Sequence, residues 1–226
     1  MQEIKKETKS TLSTINSLLK KNIIIIKLKE IERKFSDLYN EELVEFNLTE
    51  KQKNIIDDIS IQIEKGEFKV NLLYGITGSG KTQVYIELIK KALTLGKTAI
   101  ILVPEISLTP QITSRMQNHF GESIAVIHSR MSLGERFDSW QKVLKGKATV
   151  VIGARSALFA PLKNIGFIVV DEEHDQSYKQ DDQTPKYNAR DSAVMLAKFY
   201  NCPILLGSAT PSTESMFNAK TGKYNL

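Results

Sequence analysis

A glycine-rich segment between two apolar stretches carries the residues best suited to bind phosphate. It reads Gly-Ile-Thr-Gly-Ser-Gly-Lys-Thr at positions 75–82, after an apolar run and before a helical pattern of apolar residues. Glycines let backbone N–H groups approach phosphate oxygens, and a helix that starts here adds unpaired donors and the positive end of its dipole. The lysine supplies a positive charge, and the last hydroxyl is a ligand for Mg²⁺. The predicted phosphate-binding residues are Gly75, Thr77, Gly78, Ser79, Gly80, Lys81 and Thr82.

A second group of polar residues follows another apolar run. Residues 167–170 are apolar, and Asp-Glu-Glu-His follows at 171–174. An apolar strand that ends in acids places them at the carboxyl edge of the sheet, where the glycine-rich loop also emerges. We expect Asp171 to hold Mg²⁺ and Glu172 to polarise an attacking water. Together with Lys81 these two acids form the predicted catalytic set.

Composition limits the class of protein. The 226 residues fit one large domain, or one domain with a small appendage, and have an ordinary apolar content. The single cysteine, Cys202, excludes a disulfide framework and a cysteine-based zinc cluster, so we expect no zinc. Neither a run of about 18 apolar residues nor a signal-peptide pattern is present. We therefore expect a cytoplasmic protein without membrane contact.

The net charge of +5 is concentrated at one end of the chain. Residues 1–34 hold nine basic and four acidic residues, whereas the rest holds 22 of each. Such a basic arm is typical of proteins that bind nucleic acid. A solvated, lysine-rich surface helix explains the same pattern, and charge alone leaves both interpretations open.

Strand-like and helical patterns alternate along most of the sequence. A short amphipathic helix that ends near Asn22 and a strand at 23–29 precede an acidic linker at 36–47. Thr49 and Gln52 have the spacing of a capping box that opens a helix closed near Gly66. Alternation with near-continuous apolar strands predicts an α/β fold with a parallel sheet and helices on both faces. The predicted strands are 70–74, 98–103, 124–128, 148–152, 167–170 and 204–206, and later helices are 111–120, 133–145 and 188–199.

The motifs, taken in order, resemble a known family. Gly-Ser-Gly-Lys-Thr, Asp-Glu-Glu-His and Ser-Ala-Thr have the spacing of the first motor lobe of superfamily 2 helicases. More specifically, residues 48–226 resemble the PriA family of replication-restart helicases. The resemblance implies a RecA-like P-loop NTPase lobe of a 3′→5′ DNA helicase, preceded at 1–47 by a winged-helix remnant and linker. The segments that carry it are 103–111, 128–129, 153–161, 171–180, 187–191 and 207–212.

The same resemblance implies cofactors, partners and further site residues. The cofactors are ATP and Mg²⁺, with Gln52 at the adenine edge. The partners are single-stranded and forked DNA, primosome proteins and single-strand binding protein, at the nucleoid. The residues that it assigns to DNA binding or to coupling of DNA with ATP are Thr109, Arg155, Ser156, His174, Tyr178, Lys179, Tyr187, Arg190, Ser208 and Thr210.

The resemblance also implies a second lobe that supplies an arginine finger and the later motifs, and these are not in this sequence. The sequence is therefore expected to be a fragment of a restart helicase with weak or no turnover by itself, because such an arginine contributes about 10³–10⁵ in rate. Two alternatives remain: a non-catalytic nucleotide- and DNA-binding module, or another superfamily 2 DNA translocase.

Overall fold

The computed structural model describes residues 11–25, 47–108, 110–181 and 184–226. The chain divides into two compact units, 1–34 and 35–226. In the first unit, helix α1 (Leu12–Lys20) is capped by the Thr11 side chain, which accepts from Thr14 N. The chain leaves this helix at Asn22, whose φ of 53° is left-handed.

The strand predicted at 23–29 is not seen where it can be checked. Residues 23–25 are not part of a strand, and 26–29 lie outside the described residues. Residues 36–46 of the predicted linker at 36–47 also lie outside the described residues. The winged-helix interpretation and the domain boundary at 47/48 therefore remain predictions.

The second unit contains alternating strands and helices, as the sequence patterns predicted. In chain order they are α2 (Glu50–Lys65), β1 (Val70–Tyr74), α3 (Lys81–Thr94), β2 (Thr98–Leu102), α4 (Pro110–Phe120), β3 (Ile124–Ile127), α5 (Leu133–Leu144), β4 (Val150–Gly153), β5 (Ile165–Asp171), β6 (Lys179–Gln180), β7 (Tyr187–Asn188), α6 (Ala189–Phe199), β8 (Ile204–Ser208) and α7 (Thr213–Lys220). Short 3₁₀ turns lie at Gly121–Ser123, Arg155–Phe159 and Gln176–Tyr178.

Six strands form one parallel sheet in the order β1-β8-β5-β2-β4-β3. Strands β6 and β7 form a separate antiparallel hairpin. At the outer side of β1, Leu72 N donates to Asn225 O (2.7 Å) and Asn225 N donates to Val70 O (2.9 Å). The last residues of the chain therefore cover the edge that β1 would otherwise expose.

Consecutive strand residues point to opposite faces of the sheet, and each face has its own apolar core. On one face Ile100, Ile168 and Leu206 pack with the small residues of α6. On the other face Ile101 and Val169 pack with helices α2 and α3. A strand buried on both faces needs apolar residues at nearly every position, which is why these strands read as continuous apolar runs. The predicted α/β class with helices on both faces is confirmed.

Both ends of α2 have the predicted caps. Thr49 Oγ1 accepts from Gln52 N (3.3 Å), and Gln52 Oε1 accepts from Thr49 N (2.8 Å). Gly66 ends the helix with a φ of 62°, a left-handed conformation that glycine adopts without a steric penalty. Across the described ranges, no helix has the length and apolar character needed to cross a membrane.

Candidate nucleotide-binding site

Three strand ends bring the predicted site residues to one edge of the sheet. Tyr74 at the end of β1 pairs with Ser208 at the end of β8, and Gly207 pairs with Asp171 at the end of β5. The glycine-rich loop follows β1, and the Asp-Glu-Glu-His turn follows β5. Since the strands are parallel, both segments leave the sheet on the same side, as the sequence analysis expected.

The glycine-rich loop curls back over the end of β1. Gly75 N donates to Ser208 O (3.1 Å), and a Cβ at Gly75 would lie 2.8 Å from Ser79 Oγ. Gly78 and Gly80 have φ values of 79° and 83°, so the turn uses a conformation that other residues rarely adopt. Within the described part of the chain, no side chain caps the N-terminus of α3. Its first N–H groups and the helix dipole are therefore available to an anionic ligand.

Lys81 lies inside this curl rather than in solvent. Its ammonium donates to Gly75 O (2.7 Å) and Ile76 O (3.3 Å), and its Nζ lies 3.8 Å from Glu172 Oε1. The side chain is 9% exposed. The loop thus holds one positive charge next to the acidic turn, which is the arrangement that a phosphate group with a coordinated cation requires.

Asp171 is held by two buried tyrosines. Tyr85 from α3 donates its hydroxyl to Asp171 Oδ1 (2.9 Å), and Tyr178 donates to the carbonyl oxygen of Asp171 (2.6 Å). Burial raises the pKa of Asp171, and nearby Glu172 raises it further, whereas the Tyr85 hydrogen bond and Lys81 oppose the shift. Burial likewise raises the pKa of both tyrosines well above the usual value, so they act here as hydrogen-bond donors.

Glu172 and His174 face the same side of the turn. Glu172 has a φ of 45°, an uncommon backbone conformation for a residue with a side chain. Its Oε2 lies 3.6 Å from His174 Nδ1. The same nitrogen is 2.8 Å from Ser208 Oγ, and Nε2 is 3.2 Å from Thr210 Oγ1. His174 therefore connects the acidic turn with the end of β8.

Gln52 reaches the glycine-rich loop from α2. Besides its part in the capping box, its Nε2 donates to Ser79 O (2.9 Å). A Cβ at Gly80 would lie 2.5 Å from the same nitrogen, so glycine is needed there for the close approach. Gln52 thus fixes the loop against α2. Its expected contact with adenine remains a prediction.

The sequence assigns Asp171 and Thr82 to a magnesium ion. No group of three or more His, Cys, Asp or Glu side chains is arranged to hold a metal ion among the residues that the structure describes. Mg²⁺ usually takes only one or two protein ligands and completes its shell with water and phosphate oxygens. Asp171 and Thr82 therefore remain predicted ligands of Mg²⁺.

Comparisons with known proteins identify the family. The DEAD/DEAH box helicase family matches residues 49–218. The chain belongs to this family. Replication restart protein PriA of Bacillus subtilis (strain 168) is 43% identical over 225 residues, which are 99% of this chain and 28% of that protein. PriA of Chlamydia muridarum (strain MoPn / Nigg) is 44% identical over 230 residues, which are 100% of this chain and 30% of that protein.

These matches confirm the predicted resemblance to PriA, and the chain spans less than a third of the length of these curated relatives. Solved structures agree on the fold. RecG bound to a three-way DNA junction has a TM-score of 0.59 at 26% identity, covering 79% of this chain and 23% of RecG. A hypothetical ATP-dependent RNA helicase from Sulfolobus tokodaii has a TM-score of 0.56 at 19% identity, covering 81% of this chain and 53% of that helicase. The predicted RecA-like lobe is confirmed.

Some residues that the resemblance assigned to DNA binding or coupling lie on accessible parts of this helicase lobe. Ser156 is exposed in the 3₁₀ turn after β4, and Arg155 donates to the carbonyl oxygen of Lys179 (2.7 Å). Lys179 forms a surface ion pair with Asp181 (2.9 Å). Tyr187 stacks edge-to-face on Phe159 with 5.3 Å between ring centroids. Thr109 lies outside the described residues.

Two other assigned residues have their partners inside the lobe. Tyr178 is 1% exposed and its hydroxyl is bound to Asp171, so it has no free ring face on which a base could stack. Arg190 donates to the Glu173 carboxylate (3.0 Å), to Ser212 Oγ (2.9 Å) and to Asp191 (2.8 Å). With these partners the guanidinium serves the interior of the lobe rather than a DNA phosphate.

Sequence reasoning missed two residues of the site. Tyr85 lies in the helical apolar pattern after the glycine-rich segment, and its hydroxyl orients Asp171. Glu173 lies in the acidic motif, and its side chain is fully buried. A signal for Tyr85 existed, because a buried tyrosine needs a partner for its hydroxyl. Nothing local in the sequence distinguishes Glu173 from the acid before it.

Proposed function

We propose that this chain is the ATP-binding lobe of a PriA-type 3′→5′ DNA helicase of replication restart, and that it binds Mg-ATP and single-stranded DNA. The observation that supports this most directly is the position of Lys81, between the carbonyl groups of the glycine-rich loop and the Glu172 carboxylate, 3.8 Å away. Membership of the helicase family and the similarity to PriA agree with it.

Each residue of the site has a separate task in this proposal. The α3 N-terminus and the Lys81 ammonium bind the phosphate oxygens, and Thr82 and Asp171 provide oxygens for Mg²⁺. When bound, Mg-ATP supplies the phosphoanhydride bond that is cleaved. Glu172 accepts the proton of the attacking water at its carboxylate, and it lies close enough to His174 to be oriented by it.

The DNA path is proposed on the side of the 3₁₀ turn after β4 and the β6–β7 hairpin. Arg155 and Ser156 contact the phosphate backbone, and the exposed part of the Tyr187–Phe159 pair contacts a base. His174, through Ser208 and Thr210, carries a change at the nucleotide to this side of the lobe. Forked DNA, primosome proteins and single-strand binding protein are proposed partners of the longer protein, by similarity to PriA.

A nucleotide-binding comparison tests the site. Lys81→Ala removes the ammonium from the loop, and Lys91→Ala removes one from the same helix, where it pairs with Glu64 on the surface. With Mg²⁺ present, a fluorescent ATP analogue is expected to bind the wild type and Lys91→Ala with equal affinity and Lys81→Ala at least tenfold more weakly. Equal affinity in all three would contradict the assignment.

A salt series tests DNA binding. Arg155→Ala removes a charge at the proposed path, and Lys163→Ala removes one just before β5, at the opposite edge of the sheet. For oligo-dT, Arg155→Ala is expected to reduce the slope of log K against log salt by about 0.7, the value for one single-strand phosphate contact. Lys163→Ala is expected to keep the slope. The proposed path is wrong if the two variants behave alike in fluorescence anisotropy.

A further inference from the structure

Glu173 differs from the other acids of the turn because its carboxylate is fully buried and accepts four hydrogen bonds. Oε1 accepts from Ser212 N (2.6 Å). Oε2 accepts from Arg190 Nη1 (3.0 Å), Ser212 Oγ (3.1 Å) and Ser215 Oγ (2.8 Å). A buried carboxylate persists only when its oxygens are satisfied in this way. Both oxygens thus accept from the protein, and the side chain is closed off from solvent.

These donors come from two helices that do not otherwise belong to the nucleotide site. Ser212 is the N-cap of α7, and Ser215 lies in its first turn, so the carboxylate also faces the positive end of that helix. Arg190 lies in the first turn of α6, and its Nε is held by Asp191 (2.8 Å). One carboxylate therefore joins the turn after β5 to the starts of α6 and α7.

The same residue fixes the backbone of the turn. Glu173 N donates to Gly207 O on β8 (3.0 Å). The residue before it, Glu172, has the left-handed φ of 45°, a conformation that persists only where the surroundings impose it. His174, the residue after it, is bonded to Ser208 and Thr210. Glu173 is thus anchored at both its backbone and its side chain, between the two residues of the turn that face the site.

We propose that Glu173 is a positioning residue that holds Glu172 toward Lys81 and His174 toward Ser208. An effect of this positioning on catalysis rests on the proposed function, whereas the positioning itself does not. A carboxylate is required because Oε1 and Oε2 both accept. An amide has one oxygen, so glutamine would turn its NH₂ group toward donors of Arg190 and the serines, or toward Ser212 N.

Histidine resonances provide a direct test, because the chain contains only three histidines. His119 lies on α4 and His128 follows β3, so they are internal references for His174 in the turn. In Glu173→Gln, the ring ¹H–¹³C signals of His174 are expected to shift at constant pH, while those of the other two stay in place. The matched control is Asp191→Asn, which removes an acid from the exposed side of the same arginine, and it is expected to leave all three unchanged.

A folded Glu173→Gln protein with unshifted His174 signals would overturn the proposal, and so would an equal shift in Asp191→Asn. If Glu173→Gln does not fold, Ser215→Ala decides, because it removes one donor and leaves the ion pair with Arg190. A shift of the His174 signals in this variant, with those of His119 and His128 unchanged, supports the proposal, and no shift contradicts it. If the wild type does not bind the ATP analogue, the proposed function is refuted. The positioning role of Glu173 would still stand, because the histidine signals are measured without a ligand.

Discussion

Gly207→Ala tests how tightly the sheet is packed against the residue that orients Asp171. A Cβ on Gly207 would lie 1.7 Å from Tyr85 Oη and 2.9 Å from Tyr85 Cζ. Tyr85 is 1% exposed, so the ring has no open space into which it could swing. Its hydroxyl also donates to Asp171 Oδ1 (2.9 Å). The added methyl group must therefore push the ring away from both the strand and the carboxylate.

The structure gives two contributions to the loss of stability. Overpacking of a closed core costs about 1–3 kcal/mol. Displacement of the hydroxyl removes a hydrogen bond to a charged acceptor, which costs about 1.5–3 kcal/mol. The total is about 2.5–6 kcal/mol. Since about 1 kcal/mol shifts Tm by about 2–4 °C in a chain of this size, Tm is expected to fall by at least about 5 °C.

A double-mutant cycle with Tyr85→Phe isolates the contact. Phenylalanine lacks the Oη that the new methyl group would meet, so Gly207→Ala is expected to cost about 1–3 kcal/mol less in the Phe background. Circular dichroism during thermal and urea unfolding measures the four proteins. Equal costs of Gly207→Ala in both backgrounds would refute the reasoning, because the clash would then not involve the hydroxyl.

The remaining predictions concern the same site. Because burial raises the pKa of Asp171, its contribution to stability is fully present below the unfolded pKa and is lost as the pH rises through the folded pKa. Asp171→Asn, whose amide oxygen still accepts from Tyr85, is therefore expected to raise Tm at neutral pH and to lose this gain in acid; a lower Tm at neutral pH would contradict it. Gly80→Ala and Gly78→Ala both force alanine into a left-handed conformation, at about 1–2 kcal/mol each. In urea unfolding, Gly80→Ala is expected to lower the free energy of unfolding by about 0.5–1.5 kcal/mol more than Gly78→Ala does. The reason is that only the Cβ at position 80 meets Gln52 and breaks its hydrogen bond to Ser79 O. Equal losses would show that Gln52 moves aside without a cost.

Local patterns explain which elements the sequence predicted. Strands buried on both faces must be apolar throughout, and a capping box identifies a helix start from two residues three positions apart, as in Thr49 and Gln52. Helix α7 was not predicted, because only Ser215 and Ala219 of its residues are buried and it has no apolar stripe. The β6–β7 hairpin pairs only two residues of each strand, too few for a visible alternation.

The sequence predicted where the site lies in the fold better than it predicted the roles of the individual residues. Strand ends and motif order placed Lys81, Glu172 and His174 at one edge of the sheet, because parallel strands leave the sheet on the same side. The partners of Tyr178 and Arg190 were not predictable. Whether an aromatic or basic residue faces solvent or the core depends on chain segments that no local pattern connects, such as Arg190 and Ser212, 22 residues apart.

Two buried charged residues of this lobe, Glu173 and Lys81, differ in how many hydrogen-bond partners they have. Glu173 accepts four hydrogen bonds, so both of its oxygens have partners within the protein. Lys81 has three N–H donors, and among the described residues its ammonium donates to two carbonyl oxygens, whereas Glu172 lies at 3.8 Å, beyond hydrogen-bond distance. An incompletely satisfied buried charge costs stability that an anionic ligand can restore. On this ground we expect Lys81 to bind the anionic ligand and Glu173 to hold the turn in place.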